Sequence, residues 1–466
     1  MISTKRVQAT TSTKKLSRPF ALISLLAGIM MILSACGADA TATPAPTAAP
    51  SAAASTSARP STAASTAPSA AASASTAGGA STAPSAAASA ASSAAASTAP
   101  SAAASAAGSA SARPSTAATA STSSSGPAIK ITGKQGDADT LNGAGATFPQ
   151  VLYSKWFDEY NKATGVKVNY QGTGSGAGKN AIRDQTVDFA GSDSPMSDQE
   201  LADAKAKCGE TILHIPTTLG AIVVAYNLPN VSQTLKLDAD TIGGIFLEKI
   251  KKWNDPKIAA LNPGVTLPNE EIITVHRSDS SGTTDNFTSY LTAANPDWAA
   301  GPKSGSTVQW PGGIGAAGNP GVATEIKNNP YGIGYVELAF AKQNSLKYAD
   351  VKNKEGQFVT ANAASVTAAG AAVAPSAPAD LRFKVVNAAG AQSWPITAIT
   401  WILVCPKQTD QAKAVAVTRM LWWALTDGQT FNEGLDYAPL PPAIVAKGQA
   451  FINSIMLNGQ KAFPGK

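Results

Sequence analysis

Three segments of the sequence each combine glycine, a hydroxyl side chain and the expected start of a helix, a pattern suited to holding an anion. The densest is Gly172-Thr-Gly-Ser-Gly-Ala-Gly-Lys179, which follows the strand-like Val166-Lys-Val-Asn-Tyr170 and leads into a helical stretch. Gly172, Gly174 and Ala177 fit the dinucleotide pattern, and Gly178-Lys179 resembles the end of a P-loop. Both matches fail in detail, because Thr173 stands where a P-loop needs Gly and Asn180 replaces its Ser or Thr. What survives is either a flexible turn or a cradle of backbone N–H groups with the Ser175 hydroxyl beside them. The second segment is His276-Arg-Ser-Asp-Ser-Ser-Gly-Thr-Thr284, between the apolar Ile272-Ile-Thr-Val275 and the helical Asp285–Leu291. It offers the same groups next to Arg277, whose planar fork matches a tetrahedral oxyanion in bidentate fashion. Taken alone it reads equally well as a capped surface helix with a solvated ion pair. The third, Gly143-Ala-Gly-Ala-Thr-Phe-Pro149, repeats the order of glycine turn, hydroxyl and helix. Asp193 follows the strand-like Val187–Gly191 and precedes Ser194-Pro195, where it either caps a turn or meets a ligand at a strand end.

Catalytic constellations are weaker. His214 and His276 are the two histidines, each reading as structural, and neither a G-x-S-x-G elbow nor H-E-x-x-H occurs. After Cys36 only Cys208 and Cys405 remain, without zinc-type spacing; in an oxidising compartment they either pair as a disulfide or stay as buried thiols. No metal and no cofactor is expected. The formal charge of +6 suggests an anionic polymer or lipid surface only at first sight. Residues 1–126 hold seven of the 36 Lys/Arg and one of the 30 Asp/Glu, which leaves the remaining 340 residues balanced. A nucleic-acid partner is therefore excluded.

The elements that must position these groups begin near Gly133. Thr147–Ala163 reads as a helix with Pro149 in its first turn, Leu152, Trp156 and Tyr160 on one face, and Gly165 closing it. Ile222-Val-Val-Ala-Tyr226 reads as a strand, and further helices are expected near Gly178, Ser281 and Thr409. The alternation argues for an α/β fold. Everything earlier is address and spacer. Lys5, Arg6, Lys14, Lys15 and Arg18 precede an apolar run, Phe20–Leu33, which is short for a membrane span and suits a signal peptide. Residues 37–133 are taken as a tether, since 38–126 are almost wholly Ala, Ser, Thr and Pro and too poor in apolar side chains to fold. The tether repeats Ser-Thr-Ala-Pro-Ser-Ala-Ala-Ala-Ser-Ala from Ser65, Ser81 and Ser97, a spacer and not a solenoid.

Two resemblances sharpen this reading. Leu33-Ser-Ala-Cys36 resembles the bacterial lipobox, which implies residues 1–36 as a lipoprotein signal peptide and Cys36 as the lipidated mature N-terminus. From Leu141 to Ala446 the chain resembles the phosphate-binding proteins of bacterial phosphate ABC transporters. The resemblance is carried by the three segments above, Val187–Asp193, Lys251-Lys-Trp-Asn254, Gly305–Pro311, Gly332–Glu337 and Trp394-Pro-Ile-Thr397. It implies a two-lobed periplasmic-binding-protein fold, with lobe one at 134–224 and 398–466 and lobe two at 225–397. It also implies phosphate contacts from Thr147, the Phe148 backbone, Ser175, Asp193, Arg277, Ser281, Gly282 and Thr283, with Asp279 pairing Arg277. His276 and Ser280 depart from the family's usual Arg and Gly. The Ala-rich stretch 361–379 looks like a decorated surface loop. The expected protein is a monomeric, membrane-anchored extracytoplasmic binder of inorganic phosphate that serves an ABC permease, not an enzyme. A phosphate sensor without transport and a binder of another oxyanion are the alternatives. A phosphomonoesterase using Ser175 or Ser281 would need a general base that the sequence does not place nearby.

Overall fold

The computed structural model describes residues 129–465; the expected signal peptide, Cys36 and the tether up to residue 128 lie outside the described residues. Nine strands form one sheet: β1 (Thr140–Gly145), β2 (Lys167–Gly172), β3 (Phe189–Ser192), β4 (Leu213–Tyr226), β5 (Ile273–Arg277), β6 (Ile314–Ala316), β7 (Gly332–Glu337), β8 (Lys347–Tyr348) and β9 (Thr397–Val404). Their order is β2-β1-β3-β9-β4-β7-β5-β6, with β8 beside β4. β4 and β9 are apolar and almost wholly buried, as strands covered on both faces must be. Helices flank the sheet; those that bear on the site are α1 (Gln150–Thr164), α2 (Ser175–Arg183), α3 (Asp198–Cys208), α4 (Gly282–Ala294), α5 (Gly318–Asn328), α6 (Ala363–Val373) and α7 (Gln411–Leu425).

The sheet has two halves because β4 changes partner along its length. Leu213–Ala221 pair with β9, and Ile222–Tyr226 pair with β7. The chain crosses back just before β9, where Ile222 N–H donates to Ile396 C=O and Trp394 Nε1 donates to Ile222 C=O at 3.1 Å. The fold is two-lobed, with this double strand as its hinge. β4 changes partner between Ala221 and Ile222, three residues before the expected border after residue 224. An unbroken apolar strand carries no signal of where its neighbour changes.

Local chemistry explains the helices. α1 buries Leu152, Tyr153, Trp156, Phe157 and Tyr160, and Gly165 ends it in the left-handed conformation at φ 76°. The helix begins at Gln150, after Pro149, so the expected Thr147 start belongs to the turn before it. α2 begins at Ser175, three residues before the expected Gly178, because Gly174 at φ 94° supplies the sharp entry. α4 begins beside Ser281, as expected, with the Ser281 hydroxyl capping Thr284 N–H.

Two further expectations need correction. Residues 129–133, assigned to the tether, pack on the folded body: Ile131 is buried, and Arg419 of α7 donates to the carbonyls of Thr132 and Gly133. Two apolar residues, Ile131 and the partly buried Ile129, and main-chain carbonyls anchor them, which composition does not reveal. The Ala-rich stretch is not a decorated loop. It forms α6, capped by Asn362, with Val366, Ala369 and Gly370 buried and Gly370 pressed against Leu219 of β4. Small side chains allow this close approach. Farther along, Arg382 donates to Met196 C=O and pairs with Asp198 of α3 at 2.9 Å, so this segment packs beside α3. Cys208, the last residue of α3, and Cys405, just after β9, are joined as a disulfide with their Cα atoms 5.2 Å apart.

Candidate functional site

β1, β2 and β3 of lobe one run parallel, and so do β5 and β6 of lobe two. Their C-terminal ends deliver the expected site residues to one place, the usual location of ligands in open α/β sheets. Thr147 and Phe148 follow β1, Ser175 follows β2, Asp193 follows β3, and Arg277 ends β5. The starts of α2, α4 and α5 meet there, with the turn before α1. Each brings backbone N–H groups and the positive end of a helix dipole to the cluster.

The contacts cross the lobes. Ser175 Oγ accepts from Gly282 N–H at 3.1 Å and from Asp193 N–H at 3.2 Å. Thr147 Oγ1 accepts from both the main-chain N–H and the Nδ2 of Asn319, each at 3.0 Å. Gly176 N–H donates to Ser280 C=O at 3.0 Å. The approach at Gly282 leaves no room for a side chain, since a Cβ would lie 2.6 Å from Ser175 Oγ and 2.7 Å from Asp193 Cβ. Thr147, Ser175, Asp193, Arg277, Ser281 and Thr283 are all buried. The Phe148 ring is buried too, and its carbonyl accepts from Tyr437 Oη at 2.7 Å.

Charge is distributed unequally. Arg277 makes a bidentate pair with Asp279, Nε to Oδ1 at 2.7 Å and Nη2 to Oδ2 at 2.5 Å, and Nη1 donates to Thr283 Oγ1 at 3.3 Å. Burial alone would raise the Asp279 carboxyl, but the bonds and charge of Arg277, with Gly318 N–H, hold it below the usual carboxylate range. Asp193 is the opposite case. Burial dominates and pushes its carboxyl up to about 7, against the bond from Thr400 Oγ1 at 2.7 Å, the charge of Arg277 and the bond from Ser175. Near neutral pH it is therefore only partly ionised, whereas a carboxylate of ordinary pKa would be fully so.

Other sequence motifs resolve as structure. Lys179 is turned away from the glycine turn; its Nζ donates to Pro195 C=O at 2.9 Å and pairs with Glu200 at 3.2 Å. His214 is buried neutral, its pKa pushed down to about 3 by desolvation, and Nε2 accepts from Met196 N–H. His276 stacks on Trp310 with ring centroids 4.8 Å apart, and Ser280 Oγ bonds Ser306 Oγ at 3.1 Å.

The family model described as PBP superfamily domain matches residues 65–417. The phosphate-binding protein PstS of Pasteurella multocida (strain Pm70) is 43% identical over 314 residues, covering 67% of this chain and 90% of that protein. This chain belongs to the PstS family of phosphate-binding proteins, within the PBP superfamily. The PstS of Methanocaldococcus jannaschii is 37% identical over 332 residues, covering 67% and 85%. Among solved structures, a high-affinity periplasmic phosphate-binding protein (PfluDING) bound with phosphate superposes with TM-score 0.55 at 25% identity, covering 67% of this chain and 93% of that one. A human phosphate-binding apolipoprotein, TM-score 0.55 at 21% identity over 69% and 99%, shares the fold. No helix among the described residues is long and apolar enough to cross a membrane.

Sequence reasoning missed two residues of the cluster. Thr400 lies within the apolar β9, beside an irregularity where the strand's partners jump from Thr218 to Pro216. Pro216 has no N–H to give the ladder, and the bulge sets Thr217 against Thr400 C=O. Asn319 is the second residue of α5, in a Gly/Ala-rich run with no motif of its own.

Proposed function

We propose that the chain is an extracytoplasmic lipoprotein that closes its two lobes around inorganic phosphate and delivers it to an ABC permease. The observation that carries this reading is a second carboxyl, Asp193, buried in the same cluster as Arg277 and within reach of its charge but not bonded to it. Helix-start amides, hydroxyls and a guanidinium suit any oxyanion. A carboxylate suits only an anion that still carries a proton. Hydrogen phosphate and dihydrogen phosphate donate an O–H to ionised Asp193, whereas sulfate meets lone pairs and a like charge. The phosphate reading also has the support of family membership, since the relatives are named for that ligand.

Thr147, the Phe148 backbone, Ser175, Ser281 and Thr283 act as neutral donors, with Gly282 N–H bonded to Ser175 Oγ, so one guanidinium suffices as cation. Asp279 orients Arg277 and limits its net charge. Closure excludes water, which strengthens every one of these bonds. Neither metal nor cofactor is needed for this role, and the chain works as a monomer. Calorimetric titration of the purified mature chain tests the ligand: phosphate should bind at least about a hundredfold more tightly than sulfate at pH 8. Equal affinities would remove the selection of phosphate by Asp193, and no phosphate binding would remove phosphate as the ligand. The lipid anchor rests on Leu33-Ser-Ala-Cys36. Cys36→Ser should release the protein from the membrane fraction, and unchanged fractionation would refute the anchor.

A further inference from the structure

A hydroxyl has one proton and two lone pairs, so a hydroxyl that already accepts two hydrogen bonds can only donate. Three hydroxyls of the cluster are in this state. Ser175 accepts from the main-chain N–H groups of Gly282 and Asp193, and its own proton goes to Asp193 Oδ2 at 3.4 Å. Thr147 accepts twice from Asn319. Thr283 accepts from Arg277 Nη1 at 3.3 Å and from Asn319 Nδ2 at 3.1 Å. Asn319 thus serves two of the three, one in each lobe, and it is completely buried. Its amide cannot turn over. Oδ1 accepts from Glu337 N–H at 2.9 Å, and a flipped amide would set an NH2 group against that donor.

Resting on the phosphate reading above, we propose that Asn319 is a positioning residue that fixes the polarity of the site. By filling the lone pairs of Thr147 and Thr283 when the lobes close, it forces both O–H groups to point at the anion as donors. Asn319 belongs to lobe two and Thr147 to lobe one, so the Thr147 hydroxyl takes up its fixed sense only in the closed form. With both threonines closed to it as acceptors, the ligand's own proton is directed toward Asp193.

The test is calorimetric titration with inorganic phosphate of the full mature chain and of Asn319→Asp, Asn319→Leu, Thr283→Val and the double variant that combines Asn319→Asp with Thr283→Val. Asp keeps the acceptor for Glu337 N–H but replaces the donor by a second acceptor, so both threonines turn toward it and away from the ligand. Asn319→Asp should weaken phosphate binding by at least about a hundredfold, and Asn319→Leu by only about tenfold. A residue that merely fills space would give the reverse order, because Asp is the isosteric replacement. Thr283→Val should cost about tenfold in the wild-type background and no more than about twofold in the Asn319→Asp background, where that hydroxyl has already turned away. Plain charge repulsion predicts full additivity. Thermal melting of each chain is followed in parallel. Should the Asp variant not fold, the cycle is run with Asn319→Leu, where a less-than-additive sum is again expected. Weaker binding by the Leu variant than by the Asp variant, or an additive cycle, would overturn the role of Asn319 while phosphate binding by wild type stood. No phosphate binding by wild type would overturn the phosphate reading itself, and this proposal with it.

Discussion

The two halves of the cleft are built for different tasks. Lobe two presents Arg277, held by Asp279 and flanked by the start of α4, an arrangement of donors and positive charge that favours any oxyanion. Lobe one presents the start of α2 and, among its donors, the carboxyl of Asp193. Both Asp279 and Asp193 are carboxyls within reach of Arg277's charge, yet their protonation differs. Asp279 is bonded directly to the guanidinium and stays ionised; Asp193 is desolvated without such a bond, and its carboxyl rises to about 7. In the proposed role, attraction and selection are divided between the lobes, so closure is needed for both to act on one ligand.

That division can be broken from either side. The largest effect is expected for Arg277→Ala, which removes the cation and leaves Asp279 uncompensated. Phosphate and sulfate should both weaken, each by about a hundredfold or more, the scale set by buried charge pairs. Calorimetry showing a smaller loss than Ser175→Ala would mean that charge does not dominate. Ser175→Ala itself should cost about tenfold, because it removes one neutral donor. Melting curves sharpen the lobe-one side through pH. Asp193 has a pKa raised from 3.8 to about 7 in the fold, so its ionisation is unfavourable there. Its contribution to stability should be intact below about pH 4 and be lost as pH rises through 7. His214, lowered to about 3, works in the opposite direction, losing stability as pH falls, so the comparison must be made against Asp193→Asn, which shares it. Ligand-free wild type should fall behind Asp193→Asn between about pH 5 and pH 8; a constant gap would contradict the raised pKa. The smallest effect is expected from deleting the tether. A chain beginning near Gly126 should bind phosphate with unchanged affinity, and a clear loss by titration would mean that the Ala/Ser/Thr/Pro-rich segment touches the site.

Much of the site is legible in the sequence itself, and the reason is local. Glycine turn, hydroxyl and helix start are adjacent along the chain at Ser175 and Ser281, and Arg277 and Asp279 are two residues apart. What escapes a reading of the sequence is set by distance along the chain. Thr400 meets Asp193 across 207 residues, and Asn319 meets Thr147 across 172, from segments that read as an apolar strand and a small-residue run. The hinge escapes for a related reason, since β4 is continuous while its partner changes. Lys179 misleads in the other direction, because a P-loop-like Gly-Lys pair resolves here as a buried brace for Pro195 and Glu200.

The phosphate-to-sulfate ratio in wild type and in Asp193→Asn, measured by calorimetry at pH 8, bears most directly on the division of labour between the lobes. At that pH Asp193 is mostly ionised, and phosphate carries its remaining O–H. Wild type should prefer phosphate by at least about a hundredfold. Asn offers a donor in place of a carboxylate oxygen, so the variant should bind phosphate more weakly and sulfate more tightly, and the ratio should narrow by about tenfold or more. An unchanged ratio would show that Asp193 only caps its turn and that lobe one does not select.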